Sequence, residues 1–284
     1  MARKRGLRRA IVLALALALV VGGIYIAVTV AQRSKTLVIE RCTAVAGSQR
    51  AELATDQAAN AALISGEAVQ RGLPARAATI ALATAMQESK LRNIRYGDQA
   101  GPDSRGLFQQ RPSQGWGSEE EIMDPHYASG AFYAALVKIP DYETLDISAA
   151  AQLVQRSAYP AAYADHEGMA RAFASALTGQ SPAALDCTLR APEAAGDPQL
   201  LMDEMAATFG DVPASIEGRA LVLQSSDSQS WAIAQWAVAN AKSQNIVEVD
   251  VDGHRWLRES QQGWQENASP SGQVTITVAD GNAQ

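Results

Sequence analysis

The stretch AMQESKLRNIRYGDQAGPDSRGLFQQRPSQGWG, residues 85–117, puts Glu88 at the end of an apolar helical segment and follows it with a polar loop rich in turn residues. The segment before it, PARAATIALATAMQES, carries Ile80, Leu82 and Met86 among alanines and is apolar on nearly every side, the pattern of a central buried helix. Ala81, Thr84 and Ala85 share the helical face of Glu88, so its side chain leaves from a small, inward-looking surface. The negative end of the helix dipole and apolar surroundings both disfavour ionisation there. They favour a neutral carboxylic acid, the state that protonates the leaving oxygen of a glycosidic bond near neutral pH. The plain alternative is a solvated glutamate turned outward beside Ser89 and Lys90.

Outward from this stretch, residues 51–71 are alanine-rich with a helical period that ends at Gly72, and Pro74 starts the next helix. Ser118 with Glu121 forms a capping-box pattern, and Asp124-Pro125 opens a helix carrying Tyr127, Phe132, Leu136 and Val137. Ser148 caps a helix over 149–156, and a further helix follows Pro160 and closes at Gly179. No strand is expected between residues 51 and 179. The run TLRAPEAAGDPQ, residues 188–199, reads as a linker, followed by a short helix over 200–209. Beyond Pro213 the period changes: RALVLQ reads as a strand, SQSWAIAQWAVANAKS as a helix, IVEVDVDGHRWL as a hairpin about Asp252-Gly253, and QVTITVA as a last strand. Trp231, Trp236, Trp256 and Trp264 offer either a ligand platform or core packing, and core packing is the commoner use.

QES at Gln87–Ser89 followed by RGLFQQRP at Arg105–Pro112 resembles the signature of the lytic transglycosylase branch of the lysozyme-like fold. The resemblance covers roughly residues 51–185 in outline and is specific over residues 86–112. It implies a glycosidase that cleaves the β-1,4 bond between N-acetylmuramic acid and N-acetylglucosamine in peptidoglycan, with Glu88 as acid and base, no cofactor and no metal. It also implies that Ser89 and the segment Gly106, Leu107, Phe108, Gln109 line the sugar cleft, with Gln109 contacting sugar or the acid. The residue types agree: Gly106 permits close backbone approach, Leu107 and Phe108 anchor the segment, and Gln109 or Gln110 offers an amide that donates and accepts. Trp116 either stacks on a pyranose face or plugs the domain. The family's third motif holds an alanine-tyrosine-asparagine run; this chain has QRSAYPAAYADHE, with Tyr159 and Tyr163 as candidates and no asparagine. A hydrolase needs a second carboxylate. Asp98 and Asp103 are the candidates, though their neighbours read as turn residues. The transglycosylase branch needs one carboxyl group, because the muramoyl 6-hydroxyl attacks internally. The competing function is a non-catalytic wall-binding or secretion/conjugation-assembly protein.

The chain has 284 residues, 47% hydrophobic and 19% charged, with a net charge of -6, which argues against a nucleic-acid partner. Arg3, Lys4, Arg5, Arg8 and Arg9 precede an uncharged run over residues 10–31, expected to cross a membrane with the basic tip cytoplasmic and the bulk extracytoplasmic, facing the cell wall. The competitor is a cleaved signal peptide, with Thr29 and Ala31 at the cleavage site. Cys42 and Cys187, the two cysteines, are most simply a disulfide in that compartment; the alternative is a nucleophilic thiol. His126, His166 and His254 show no zinc-type spacing, and Asp165-His166-Glu167 reads as a solvated helix face. The expected organisation is therefore a basic tip and transmembrane helix over 1–35, a mainly α lysozyme-like domain over 36–187, a linker with a short helix over 188–215, and a small α+β domain over 216–284. A protein or wall polymer is the expected partner of that last domain.

Overall fold

The computed structural model describes residues 13–26, 28, 38–99, 101–155 and 160–281. The chain falls into two units, Met1–Ile39 and Glu40–Gln284. In the first, residues 13–26 and 28 are helical (α1). The expected membrane-spanning helix over 10–31 is not found: among the described residues no helix is long and apolar enough to cross a membrane. Residues 10–12 and 29–31, and with them the candidate cleavage site, lie outside the described residues.

The second unit opens with a hairpin, β1 (Arg41–Ala46) and β2 (Gln49–Leu53), turned by Gly47 in the left-handed region at φ +59. A third strand, β3 (Leu185–Thr188), pairs antiparallel with the other edge of β1 and sets Cys42 opposite Cys187. The two cysteines form a disulfide across that pair. This three-stranded sheet corrects the expectation of a mainly α domain. Cys42 and Ala44 alternate inward along β1, but so short a run with an alanine in it shows little period-2 signal beside the helix that follows.

Helices α2 (Thr55–Gln70), α3 (Ala75–Ser89), α4 (Glu119–Met123), α5 (Pro125–Leu136), α6 (Ile147–Gln155) and α7 (Glu167–Leu177) surround a common core. Every residue of α3 from Ala77 to Ala85 is buried, as its all-round apolar pattern requires. Ser118 and Glu121 make the reciprocal capping box of α4, and the Asp124 side chain accepts the His126 amide at the start of α5.

The rest of the chain adds α8 (Pro198–Phe209), α9 (Asp227–Ala239) and a six-stranded antiparallel sheet. Its strands are β4 (Ala214–Glu217), β5 (Ala220–Gln224), β6 (Ile246–Val251), β7 (His254–Leu257), β8 (Trp264–Glu266) and β9 (Gln273–Val278), in the order β4-β5-β9-β6-β7-β8. Asp252 and Gly253 both have positive φ, so the β6–β7 connection has the backbone a tight hairpin needs. Helix α9 packs against α2 and α7 as well as β6 and β9. That explains why Ser230–Ala239 is buried without interruption.

One buried side chain ties the parts together. The amide oxygen of Gln235 on α9 accepts from the backbone of Ala184 (2.9 Å) and Leu185 (2.8 Å), while its nitrogen donates to the carbonyls of Ala176 (2.7 Å) and Ser181 (3.0 Å). Trp256 and Trp264 donate their indole N–H groups to Asp186 Oδ1 and the Leu185 carbonyl, each at 2.8 Å. Trp231 meets Trp264 edge to face at 5.2 Å. Trp231, Trp256 and Trp264 are thus packing residues at the seam between β3 and the six-stranded sheet, and Trp236 meets Phe209 of α8 edge to face at 6.0 Å.

Candidate active site

Glu88 sits in the last turn of α3, whose end is fixed from several directions. Lys90 caps the helix in the left-handed region at φ 57, and the Leu91 amide reaches back to the Ala85 carbonyl. Two side chains of α2 take up the carbonyls left over: Gln57 donates to Lys90 at 2.9 Å and Asn60 to Leu91 at 2.8 Å. Ser89 is buried, and its hydroxyl lies 3.1 Å from the Ala85 carbonyl and 2.7 Å from the Leu107 carbonyl. The two halves of the sequence signature are therefore joined through Ser89, which acts as a tether rather than an exposed contact.

The segment after Asp103 is a short hairpin, with Arg105 and Gln110 exchanging backbone hydrogen bonds and Gly106 bridged to Ile94. Gly106 lies at φ +77, and a Cβ there would stand 2.5 Å from the Ile122 carbonyl oxygen. The close approach that requires glycine is thus from the end of α4, not from Glu88. Leu107 and Phe108 are fully buried, and Phe108 stacks on Phe132 of α5 at 4.6 Å. Gln110 is buried too, donating to the Ala128 carbonyl at 3.1 Å, so it latches the hairpin to α5. Gln109 is only partly buried; it adopts φ 48 and donates to the Gly106 carbonyl at 3.2 Å. Of the two glutamines it is the one positioned to meet a ligand.

The carboxyl group of Glu88 accepts a hydrogen bond from the Tyr163 hydroxyl at 2.6 Å. Tyr163 comes from the 3-10 turn Pro160–His166 and is fully buried. Gln155, the last residue of α6, donates to the Phe108 carbonyl at 2.6 Å and also hydrogen-bonds the Glu88 side chain. Burial is the dominant influence on Glu88 and pushes its pKa above the ordinary glutamate value; Tyr163 and Gln155 pull it partly back, and the negative charge of Asp98 adds to the rise. The group is held in place yet biased toward its protonated form.

The other carboxylates of the loop are otherwise engaged. Asp103 accepts from Arg111 Nε at 2.7 Å and the Ser113 amide at 3.2 Å. Hydrogen bonding to Ser113, and less strongly to Arg111, lowers its pKa to about 2 against the opposing effect of desolvation. Asp98 accepts the Gly101 amide at 2.8 Å, a turn-forming contact, while its charge is felt at Glu88. Trp116 is half-buried and packs against the core, its carbonyl accepting from the Tyr127 hydroxyl at 3.2 Å. Tyr159 lies outside the described residues.

Two neighbours carried no sequence signal. Gln155 reads only as the polar end of an amphipathic helix. His166, expected on a solvated face, donates from Nε2 to Gln87 Oε1 at 3.0 Å; burial and the charge of Lys90 lower its pKa against the opposing charge of Asp165. Among the described residues no group of three or more His, Cys, Asp or Glu is placed to hold a metal ion. No family model matches the chain, and no curated protein is similar to it in sequence.

Proposed function

We propose that the protein cleaves the β-1,4 bond between N-acetylmuramic acid and N-acetylglucosamine in peptidoglycan, with Glu88 as acid and then base, as in the lytic transglycosylases its QES and RGLFQQRP segments resemble. The observation that carries this reading is the state of Glu88. It is one carboxyl group, biased toward protonation by burial and oriented by a buried tyrosine hydroxyl at 2.6 Å.

In the first step Glu88 gives its proton to the glycosidic oxygen, and the bond from that oxygen to the muramoyl anomeric carbon breaks. The muramoyl 6-hydroxyl then bonds to the same carbon, and the Glu88 carboxylate recovers the proton that this hydroxyl loses. The products are a 1,6-anhydromuramoyl end and a free N-acetylglucosamine hydroxyl, with no water consumed. Tyr163 and Gln155 offer the carboxylate two donors between the steps. The engagement of Asp103 by Arg111 and Ser113 also favours a mechanism with one carboxyl group over a hydrolytic pair. The Cys42–Cys187 disulfide suits an oxidising compartment outside the cytoplasm, where the wall lies.

The test is to incubate the full chain and its Glu88→Gln variant with purified sacculi and to weigh the soluble muropeptides by mass spectrometry. Anhydro-muropeptides from the parent protein alone are expected. Reducing-end products would replace the internal transfer by hydrolysis. If neither protein releases anything, the function is the non-catalytic wall-binding or assembly role.

A further inference from the structure

Near the other end of α3 from Glu88, about 18 Å along the helix axis, the β1–β2 turn, α3, α7 and the segment after α7 line an open cavity of about 420 Å3. Its polar lining is Gln49, Arg76, Thr79, Arg171, Ser175 and Ser181, with no acidic side chain among the lining residues. Glu167 pairs with Arg171 and stands 3.6 Å from Arg76 Nη1, longer than a hydrogen bond. Two guanidinium groups therefore share one anion.

Neither cation is saturated by that carboxylate. Of the five N–H donors a guanidinium carries, Arg76 uses one in a hydrogen bond, from Nη2 to the Leu145 carbonyl at 2.5 Å, and its Nε is buried without a partner. Arg171 is 54% exposed, so its charged end is open to solvent and to a ligand. The hydroxyls of Ser175 and Ser181 are 2.8 Å apart, and each rotates to donate or accept. Helix α3 begins beside the cavity with no side-chain cap and no acidic residue in its first turn, which adds to the positive potential the arginines set.

We infer that this cavity is a binding site for a small oxyanion, a carboxylate or a phosphate held between Arg76 and Arg171, with Ser175, Ser181 and Gln49 meeting the hydroxyl or amide groups beside it. Planar guanidiniums suit both anions because each presents paired oxygens. Glu167 competes with the ligand for the same two cations. The inference is independent of the chemistry proposed at Glu88.

Isothermal titration of the full chain at constant ionic strength, with inorganic phosphate in one arm and N-acetylmuramoyl-L-alanyl-D-isoglutamine in the other, tests it and separates the two anion sources. Saturable binding is expected in at least one arm. Arg171→Gln, at a half-exposed position that tolerates change, weakens it about tenfold, the loss of roughly one charge-assisted hydrogen bond. Glu167→Gln removes the competitor and tightens it. Arg76→Lys, which keeps the charge and loses the fork, also weakens binding, and thermal melts establish that each variant is folded. Absence of saturable binding in both arms, or equal affinities for the Arg171→Gln, Glu167→Gln and parent proteins, would overturn the assignment.

Discussion

Replacing Tyr163 by Phe deletes one hydroxyl from a fully buried ring and leaves Glu88 without its 2.6 Å donor. What that costs depends on the charge of the acceptor. A hydrogen bond to a neutral group contributes about 0.5–1.5 kcal/mol and one to a charged group about 1.5–3 kcal/mol. The variant should therefore be less stable by about 1 kcal/mol where Glu88 is protonated and by about 2–3 kcal/mol where it is ionised. The pH sign follows from the raised pKa. Any stability Glu88 gives by being a buried neutral acid is present below the unfolded carboxyl value of about 4.3 and is lost as pH rises through the folded value. Tyr163 offsets part of that loss by stabilising the anion, so removing it raises the folded pKa further and steepens the loss. Urea unfolding of the parent and variant proteins at a series of pH values reads the difference directly, and shifts of other carboxylates cancel between the two. A penalty that is flat with pH, or largest in acid, would refute the reasoning, because the tyrosine would then not be supporting a carboxylate.

Reduction of Cys42–Cys187, or Cys42→Ser, should cost roughly 4–5 kcal/mol, since the bond closes a loop with a sequence separation of 145; urea midpoints with and without reductant measure it. Gly106→Ala should cost at least about 1–3 kcal/mol, because the new Cβ meets the Ile122 carbonyl at 2.5 Å in a backbone already at φ +77; an unchanged melting temperature would contradict this. Gln235→Leu strands two backbone N–H groups and the Ser181 carbonyl at the α9 seam, while the Ala176 carbonyl keeps the Gly179 amide, and should cost at least about 3 kcal/mol, seen by calorimetry.

The parts of this fold that could be read from the sequence are those whose cause is local. The buried run of α3, the capping box at Ser118 and Glu121, Asp124 before Pro125, and the Asp252-Gly253 turn each declare themselves within a few residues. The disulfide followed from there being only two cysteines in the chain. The three-stranded sheet did not show, because β1 has only Cys42 and Ala44 facing inward and its partner β3 lies well over a hundred residues away. Residues 10–31 read as one apolar run, yet among the described residues no helix is long and apolar enough to cross a membrane. The site divides in the same way. Glu88 stood out by motif and Tyr163 was one of two candidate tyrosines in a run that departs from the motif, whereas Gln155 matters only because the end of α6 meets the Phe108 carbonyl, and Gln110 is withdrawn from the cleft only because α5 offers it the Ala128 carbonyl.

The condition of Glu88 is a product of how completely its surroundings are satisfied without it. At the end of α3 the spare carbonyls of Lys90 and Leu91 are taken by Gln57 and Asn60, and Ser89 is committed to Leu107. The hairpin is held by its own backbone pairs, by Gln110 and by Phe108 stacking. Among the described residues no structural contact requires Glu88 to be an anion: its partners Tyr163 and Gln155 are neutral donors, and no described arginine or lysine pairs with it as Arg111 pairs with Asp103. Asp103, by contrast, is lowered to about 2 by hydrogen bonding, first to Ser113 and then to Arg111, against desolvation. At Glu88 two neutral donors fix the direction of the carboxyl while burial sets its protonation, so orientation and acidity are controlled by different residues. A group that must first lose and then regain a proton needs that separation.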